Sequence, residues 1–356
     1  MRWSRFLLAF LLTPWLLFAV SELSGQSMPF VHKKRYAMGT LFEIVAYNDS
    51  LAHASSAIDQ AIDEVVRLDN VMSNFKPESD LSRMNREAHF HVVKIPPDLY
   101  KVIETSLVYS RLSRGAFDVS VGPLVDLWKA ALAGGATPAA AEQARARACI
   151  GYEKIVLMAP DQVEFRSDCM RLDLGAVGKG YAVDRAMEIL HSNGIKRAYI
   201  DAGGSTIYGM GAPPGHDGWL VHLRDPSNRL DPQVKLRGNS VSTSEQTPRS
   251  RLEGDAPGHI VDPASGAPLR TQYAVSVTAK SATASDALST TLLLVGPEKG
   301  VALVARLKNV SAIWVSADGR NTTAGSKTTI FVHLNSSSPT TAVTVNSVGH
   351  RWENQN

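Results

Sequence analysis

With 356 residues the chain can bury a large core, as one large domain or two small ones. Its 44% hydrophobic and 20% charged content is that of an ordinary globular protein. A net charge of only +3, with Lys and Arg scattered along the chain, argues against nucleic-acid binding.

Arg2 and Arg5 precede an apolar run from Phe6 to Val20 that only Thr13 and Pro14 interrupt, and Ser21, Ser24, Gly25 and Ser27 follow. A positive start, a short apolar run and a small-residue exit predict a secretory signal over residues 1–27. An uncleaved anchor is the alternative, although the run is short for a membrane span. The expectation is export to the periplasm or extracytoplasmic face, with inner-membrane association if the segment is retained. No cysteine near its end could carry a lipid.

The mature part opens with a strand-like stretch at 35–47. A helix is predicted at about 50–72, where Ala57, Ile58, Ala61, Ile62, Val65, Val66 and Leu68 follow the 3.6-residue period. Further helices are expected at 97–112 and 138–148. Strands at 154–158 and 162–166 flank the turn Ala159-Pro160-Asp161. That hairpin would bring Cys149 and Cys169 near each other; whether they are bonded is left open. A helix from Lys179 stops at Gly194. Short β-like runs follow at 197–201, 219–223 and 273–278, then a helix at 284–294 ended by Gly296-Pro297, and a strand at 311–315. Residues 333–356, rich in Ser, Thr, Asn and Val, read as a polar tail. There is no fixed-period repeat and no clean linker. The pattern predicts an α+β fold over residues 28–332, a single large domain of mixed, largely antiparallel sheets with packed helices.

Three segments carry chemistry. Asp173-Leu-Gly-Ala-Val-Gly-Lys-Gly180 lies just before a predicted helix. Free N–H groups at a helix start suit phosphate, and Lys179 adds a full charge. The spacing fails the P-loop pattern, so an ordinary nucleotide triphosphatase is not indicated. The bland alternative is a tight strand-to-helix turn with a surface lysine. In Ala284-Ser-Asp-Ala-Leu-Ser-Thr290, Asp286 and Thr290 share a helix face and offer hard oxygen ligands suited to Mg2+. A capping aspartate and a half-buried threonine would give the same spacing. In Gly258-His-Ile-Val-Asp-Pro-Ala-Ser-Gly266, His259 could act as a general base, or be a structural strand residue. Smaller clusters are Met38-Gly-Thr40, Met72-Ser-Asn-Phe75 with Ser79, Gly115-Ala-Phe-Asp-Val-Ser-Val-Gly-Pro123 and Asp201-Ala-Gly-Gly204.

Taken together and in this order, these segments resemble the FAD:protein FMN transferase, or ApbE, family from about residue 34 to 331. The resemblance implies a Mg2+-dependent enzyme that splits FAD. It would join FMN to a Thr or Ser hydroxyl of an acceptor flavoprotein by a phosphoester bond and release AMP. It places Met38 and Phe75 against the flavin, and Ala116, Phe117 and Asp118 in a cofactor-binding segment. Asp173 and Lys179 would hold FAD, with Ile260 beside the ligand and His259 as catalytic base. The Ala176 backbone oxygen, Asp286 and Thr290 would be metal ligands. Departures from the family pattern are Glu245-Gln246 after Thr243-Ser244, Ser205 after the glycine pair, and Gly258 before His259. An FAD pyrophosphatase using water as acceptor and a non-enzymatic exported flavin-binding protein are the alternatives.

Overall fold

The computed structural model describes residues 28–246, 260–325 and 330–334. His259, the predicted signal and most of the polar tail lie outside them. In chain order the elements are β1 (Phe30–Ala37), β2 (Thr40–Tyr47), α1 (Leu51–Met72), α2 (Asp80–Glu87), β3 (Val93–Lys94), α3 (Pro97–Leu112), α4 (Gly122–Ala133) and α5 (Ala140–Cys149). Then come β4 (Ile155–Met158), β5 (Gln162–Phe165), α6 (Gly178–Ser192), β6 (Arg197–Ala202), β7 (Thr206–Met210), β8 (Trp219–His222), β9 (Leu230–Leu236) and β10 (Asn239–Glu245). The chain continues through β11 (Val261–Asp262), β12 (Ala267–Pro268), β13 (Tyr273–Ala279), α7 (Ala282–Val304), β14 (Ser311–Ser316), β15 (Asn321–Ala324) and β16 (Ile330–Leu334).

The frame is an eight-stranded antiparallel sheet in the order β1-β2-β6-β7-β10-β13-β14-β15. Strand alternation builds a layer on each face. Phe42, Ile44 and Ala46 of β2, with Ala198, Ile200 and Ala202 of β6, join the buried faces of α1 and α6. Their neighbours Val45 and Tyr199 point the other way and pack with Trp219, Val221, Val234 and Leu236 of the three-stranded sheet β8-β9-β16. The α+β class predicted from the sequence is the one observed. By length and composition α7 could cross a membrane. Instead its Leu288, Leu292 and Leu293 are buried against Val275 and Val277 of β13 and Trp314 of β14, as a core helix.

Two boundaries differ from expectation for local reasons. The stretch 35–47 is a hairpin rather than one strand, because Met38 (φ 50°) and Gly39 (φ 75°) form a two-residue turn of the kind whose twist suits antiparallel strands. The helix predicted to end at Gly296-Pro297 does break there, with Gly296 at φ 76°, but resumes to Val304; Pro297 starts the new turn, where its missing N–H costs nothing. β16 also takes in His333 and Leu334, the first residues of the predicted tail. The β4–β5 hairpin forms as expected, and Cys149 and Cys169 are joined in a disulfide.

Candidate active site

Several of the candidate residues meet at the segment 172–180, though no hydrogen bond among the described residues ties Ile260 to it. Asn85 of α2 fixes its start by accepting from Leu172 N–H at 2.8 Å and donating to the Leu172 carbonyl at 3.0 Å. The same Asn85 amide reaches Asn74, next to Phe75. Asp173 N–H donates to the Val119 carbonyl at 2.8 Å, so the 116–121 loop runs alongside. The Asp173 carboxylate accepts from Gly175 N–H at 2.7 Å, closing a tight turn. Lys179 Nζ lies 3.2 Å from the Gly175 carbonyl, folded back over that turn. Met38 comes from the β1–β2 turn: a Cβ added to Gly178 would stand 3.5 Å from its Cε.

At the start of α6 the helical pattern is diverted. A helix continuing through 176–180 would pair Gly180 N–H with the Ala176 carbonyl. Gly180 N–H instead donates to Asp286 Oδ2 at 2.9 Å. Among the described residues nothing donates to the Ala176 carbonyl or to the second Asp286 oxygen. Only glycine fits at 180, because a Cβ there would lie 2.3 Å from the Ala282 carbonyl and 2.7 Å from the Asp286 Cβ. The close approach of α6 to α7 therefore follows from sequence. One turn on from Asp286, Thr290 Oγ1 is 3.2 Å from Ser244 Oγ, which also reaches Ser289 Oγ at 2.8 Å. Asp286 and Thr290 are both buried.

A carboxylate oxygen, a hydroxyl and a carbonyl are a donor set of the type Mg2+ takes, with room left for water or phosphate oxygens. The unused acceptors on Asp286 and Ala176 fit such an ion. No cluster of three or more His, Cys, Asp or Glu able to hold a metal occurs among the described residues. The oxygen set above does not need one, since only one of its donors is a carboxylate.

Of the other residues expected to bind cofactor, Ala116, Phe117 and Asp118 have internal partners. Phe117 is buried edge-on against Tyr109. Asp118 accepts from the N–H and the hydroxyl of Ser120 on one oxygen and from Tyr152 N–H on the other. Burial raises its carboxyl above the ordinary range, against the pull of those bonds. Ala116 is held through its N–H by the Ser113 carbonyl. Phe75 is 78% exposed, and Lys129 Nζ sits 4.1 Å from its ring centroid. The ring is presented to solvent with a cation over it.

Gln246, noted in the sequence only as a departure from the family pattern, braces the backbone that follows His259. Its buried amide donates to the Ile260 and Leu269 carbonyls at 2.7 and 2.9 Å and accepts from Ile260 N–H at 2.8 Å. It thereby fixes the backbone of the residue following His259. His259 itself lies outside the described residues. A cleft of about 580 Å3 lined by Lys280, Val304 and Asn309 shares no residue with this site.

A model of the ApbE family matches residues 38–314. An FAD:protein FMN transferase of Treponema pallidum is 28% identical over 303 residues, covering 80% of this chain and 83% of its own length. One from Klebsiella pneumoniae is 30% identical over 287 residues, covering 75% and 79%. Among solved structures, the flavin transferase ApbE from Vibrio cholerae superposes with a TM-score of 0.74 at 24% identity, over 83% of this chain and 97% of that one.

Proposed function

The chain belongs to the ApbE family, and from that premise we propose that this enzyme, an FAD:protein FMN transferase, uses Mg2+ to move FMN from FAD onto a Thr or Ser hydroxyl of an acceptor flavoprotein. The observation that carries the reading is the α6–α7 junction, where Asp286 and Ala176 keep unused oxygens beside a helix start and Lys179. FAD would lie with its pyrophosphate at that helix start, where the Lys179 ammonium and the positive end of the helix dipole balance its charge, since Val177 and Gly178 N–H already donate to the Leu174 carbonyl and Gly180 N–H to Asp286. Met38 and Phe75 would contact the ring. Asp286, Thr290 and the Ala176 carbonyl would hold Mg2+, whose contribution when bound is to neutralise phosphate oxygens.

In the transfer step the acceptor hydroxyl oxygen forms a bond to the FMN phosphorus, and the bond from that phosphorus to the bridging oxygen breaks. AMP leaves with that oxygen, and the hydroxyl proton goes to His259. Gln246 serves this step by holding Ile260, which fixes the strand entry after His259. Export to an oxidising compartment fits the Cys149–Cys169 disulfide, since such bonds persist there and are rare in the cytosol. The acceptor is then an exported or membrane-held redox subunit.

The test is product analysis with His259→Ala beside wild type. Wild type is expected to yield AMP and acceptor-bound FMN. The variant should bind FAD normally and lose about 10²–10⁴-fold in transfer rate, the span of general-base catalysis. Full transfer by the variant contradicts the base assignment. Free FMN in place of bound FMN would identify a pyrophosphatase.

A further inference from the structure

α6 and α7 meet at their N-termini, and each start is held by a carboxylate from the other helix. Asp286 of α7 accepts from Gly180 N–H of α6. In return Asp184, one turn along α6 from Gly180, accepts from Ala282 N–H at 2.7 Å on one oxygen and from Thr283 N–H at 2.8 Å on the other. The Thr283 hydroxyl adds a third bond at 2.5 Å. The first N–H groups of a helix have no partner within it, and a carboxylate there also meets the positive end of the helix dipole.

α7 does not need Asp184 in order to start. It has its own cap, Ser281, whose Oγ accepts from Ala284 N–H at 3.2 Å. What Asp184 adds is location, because its three donors all belong to the first turn of α7. The two carboxylates close a ring across the junction: Gly180 to Asp286, one turn back along α7 to Ala282 and Thr283, across to Asp184, and one turn back along α6 to Gly180. The glycine at 180 lets the ring close, since any side chain there would strike Ala282 and Asp286.

We infer that Asp184 is a positioning residue for the proposed divalent-ion site, fixing α7 against α6 and so holding Asp286 and Thr290 in place beside the start of α6. This rests on the reading of that site given above. Asp184 is not one of the proposed ligands; it acts through Ala282 and Thr283 on the helix that carries Asp286 and Thr290. Asparagine, the neutral isostere of this carboxylate, would put an NH2 group against one of the N–H donors and undo half of the ring.

The test is Mn2+ binding to the full protein without FAD, read from the electron paramagnetic resonance signal of the free ion. Asp184→Asn should weaken Mn2+ binding by about tenfold or more, as loss of an outer-shell partner does, while leaving metal-free FAD affinity near wild type. Thr283→Val removes only the hydroxyl bond and should weaken Mn2+ binding by about threefold. If Asp184→Asn lowers the melting temperature but binds Mn2+ like wild type, its role is structural and the inference is overturned. Should Asp184→Asn fail to fold, unchanged Mn2+ affinity in Thr283→Val overturns it. A wild-type protein that binds no Mn2+, or binds it as well after Asp286→Asn, refutes the metal site itself and so separates the two failures.

Discussion

The loop around Asp118 and the junction of α6 with α7 each bury an aspartate that accepts backbone N–H bonds, at 8% and 5% exposure. They differ in what is left over. Asp118 uses both oxygens on Ser120 and Tyr152. The segment it braces is tied again by the Ser120 hydroxyl, which accepts from Gly151 N–H, and by the nearby Cys149–Cys169 disulfide. Asp286 uses one oxygen, on Gly180. Burial alone does not separate the two. Unspent acceptor capacity does, because a carboxylate whose lone pairs are already engaged must break bonds before it can take an ion.

The largest effect should come from Asp286→Asn, which should cut Mg2+-dependent transfer by about 10²–10³-fold. Its melting temperature should stay near wild type, because the amide oxygen can still accept from Gly180. A variant that keeps its rate but loses stability would place Asp286 with Asp118 and break the comparison. Next, replacing Cys149 and Cys169 together by Ser should cost about 3 kcal/mol of stability in denaturant unfolding, the scale for a loop of this length. The half-saturating Mg2+ concentration should not move. Gly180→Ala should then cost about 1–3 kcal/mol through overpacking and, unlike the disulfide variant, should also raise the Mg2+ requirement.

The smallest effect is one of pH. Burial raises the folded-state pKa of Asp118 above its ordinary value of 3.8, so the folded chain holds that proton more tightly than the unfolded chain does. Wild type should gain stability relative to Asp118→Asn as pH falls through the raised value, with the gain complete below 3.8 and absent above the raised value. Urea midpoints of the two proteins across that window check the sign. Wild type losing stability relative to Asp118→Asn on acidification would contradict the assignment.

Much of this was legible in the sequence, and the parts that were not have identifiable causes. α1 and α3 could be read because apolar spacing and a proline at the first helical position act locally. β10 could not. Its helix-facing residues are Ser240, Ser242 and Ser244, which pair with Ser285, Ser289 and Thr290 on α7 through hydroxyl hydrogen bonds instead of apolar contact. A strand whose buried face is polar shows no hydrophobic alternation. The pairing of Gly180 with Asp286, at 106 residues of separation, was likewise invisible to spacing rules. What pointed to it was the motif order, together with a Gly-Lys-Gly at a predicted helix start. Gln246 stood in the sequence only as a departure from the family pattern. Its role emerges once β10 brings it beside Ile260 and Leu269.

The central claim is tested most directly by the mass of a candidate acceptor flavoprotein after incubation with FAD, Mg2+ and either the wild-type enzyme or Asp286→Ala. Wild type should leave the acceptor heavier by one phosphoester-linked FMN on a Thr or Ser, with one AMP released per modification, and Asp286→Ala should leave it almost unmodified. An acceptor modified equally by both proteins would contradict the role assigned to the α6–α7 junction.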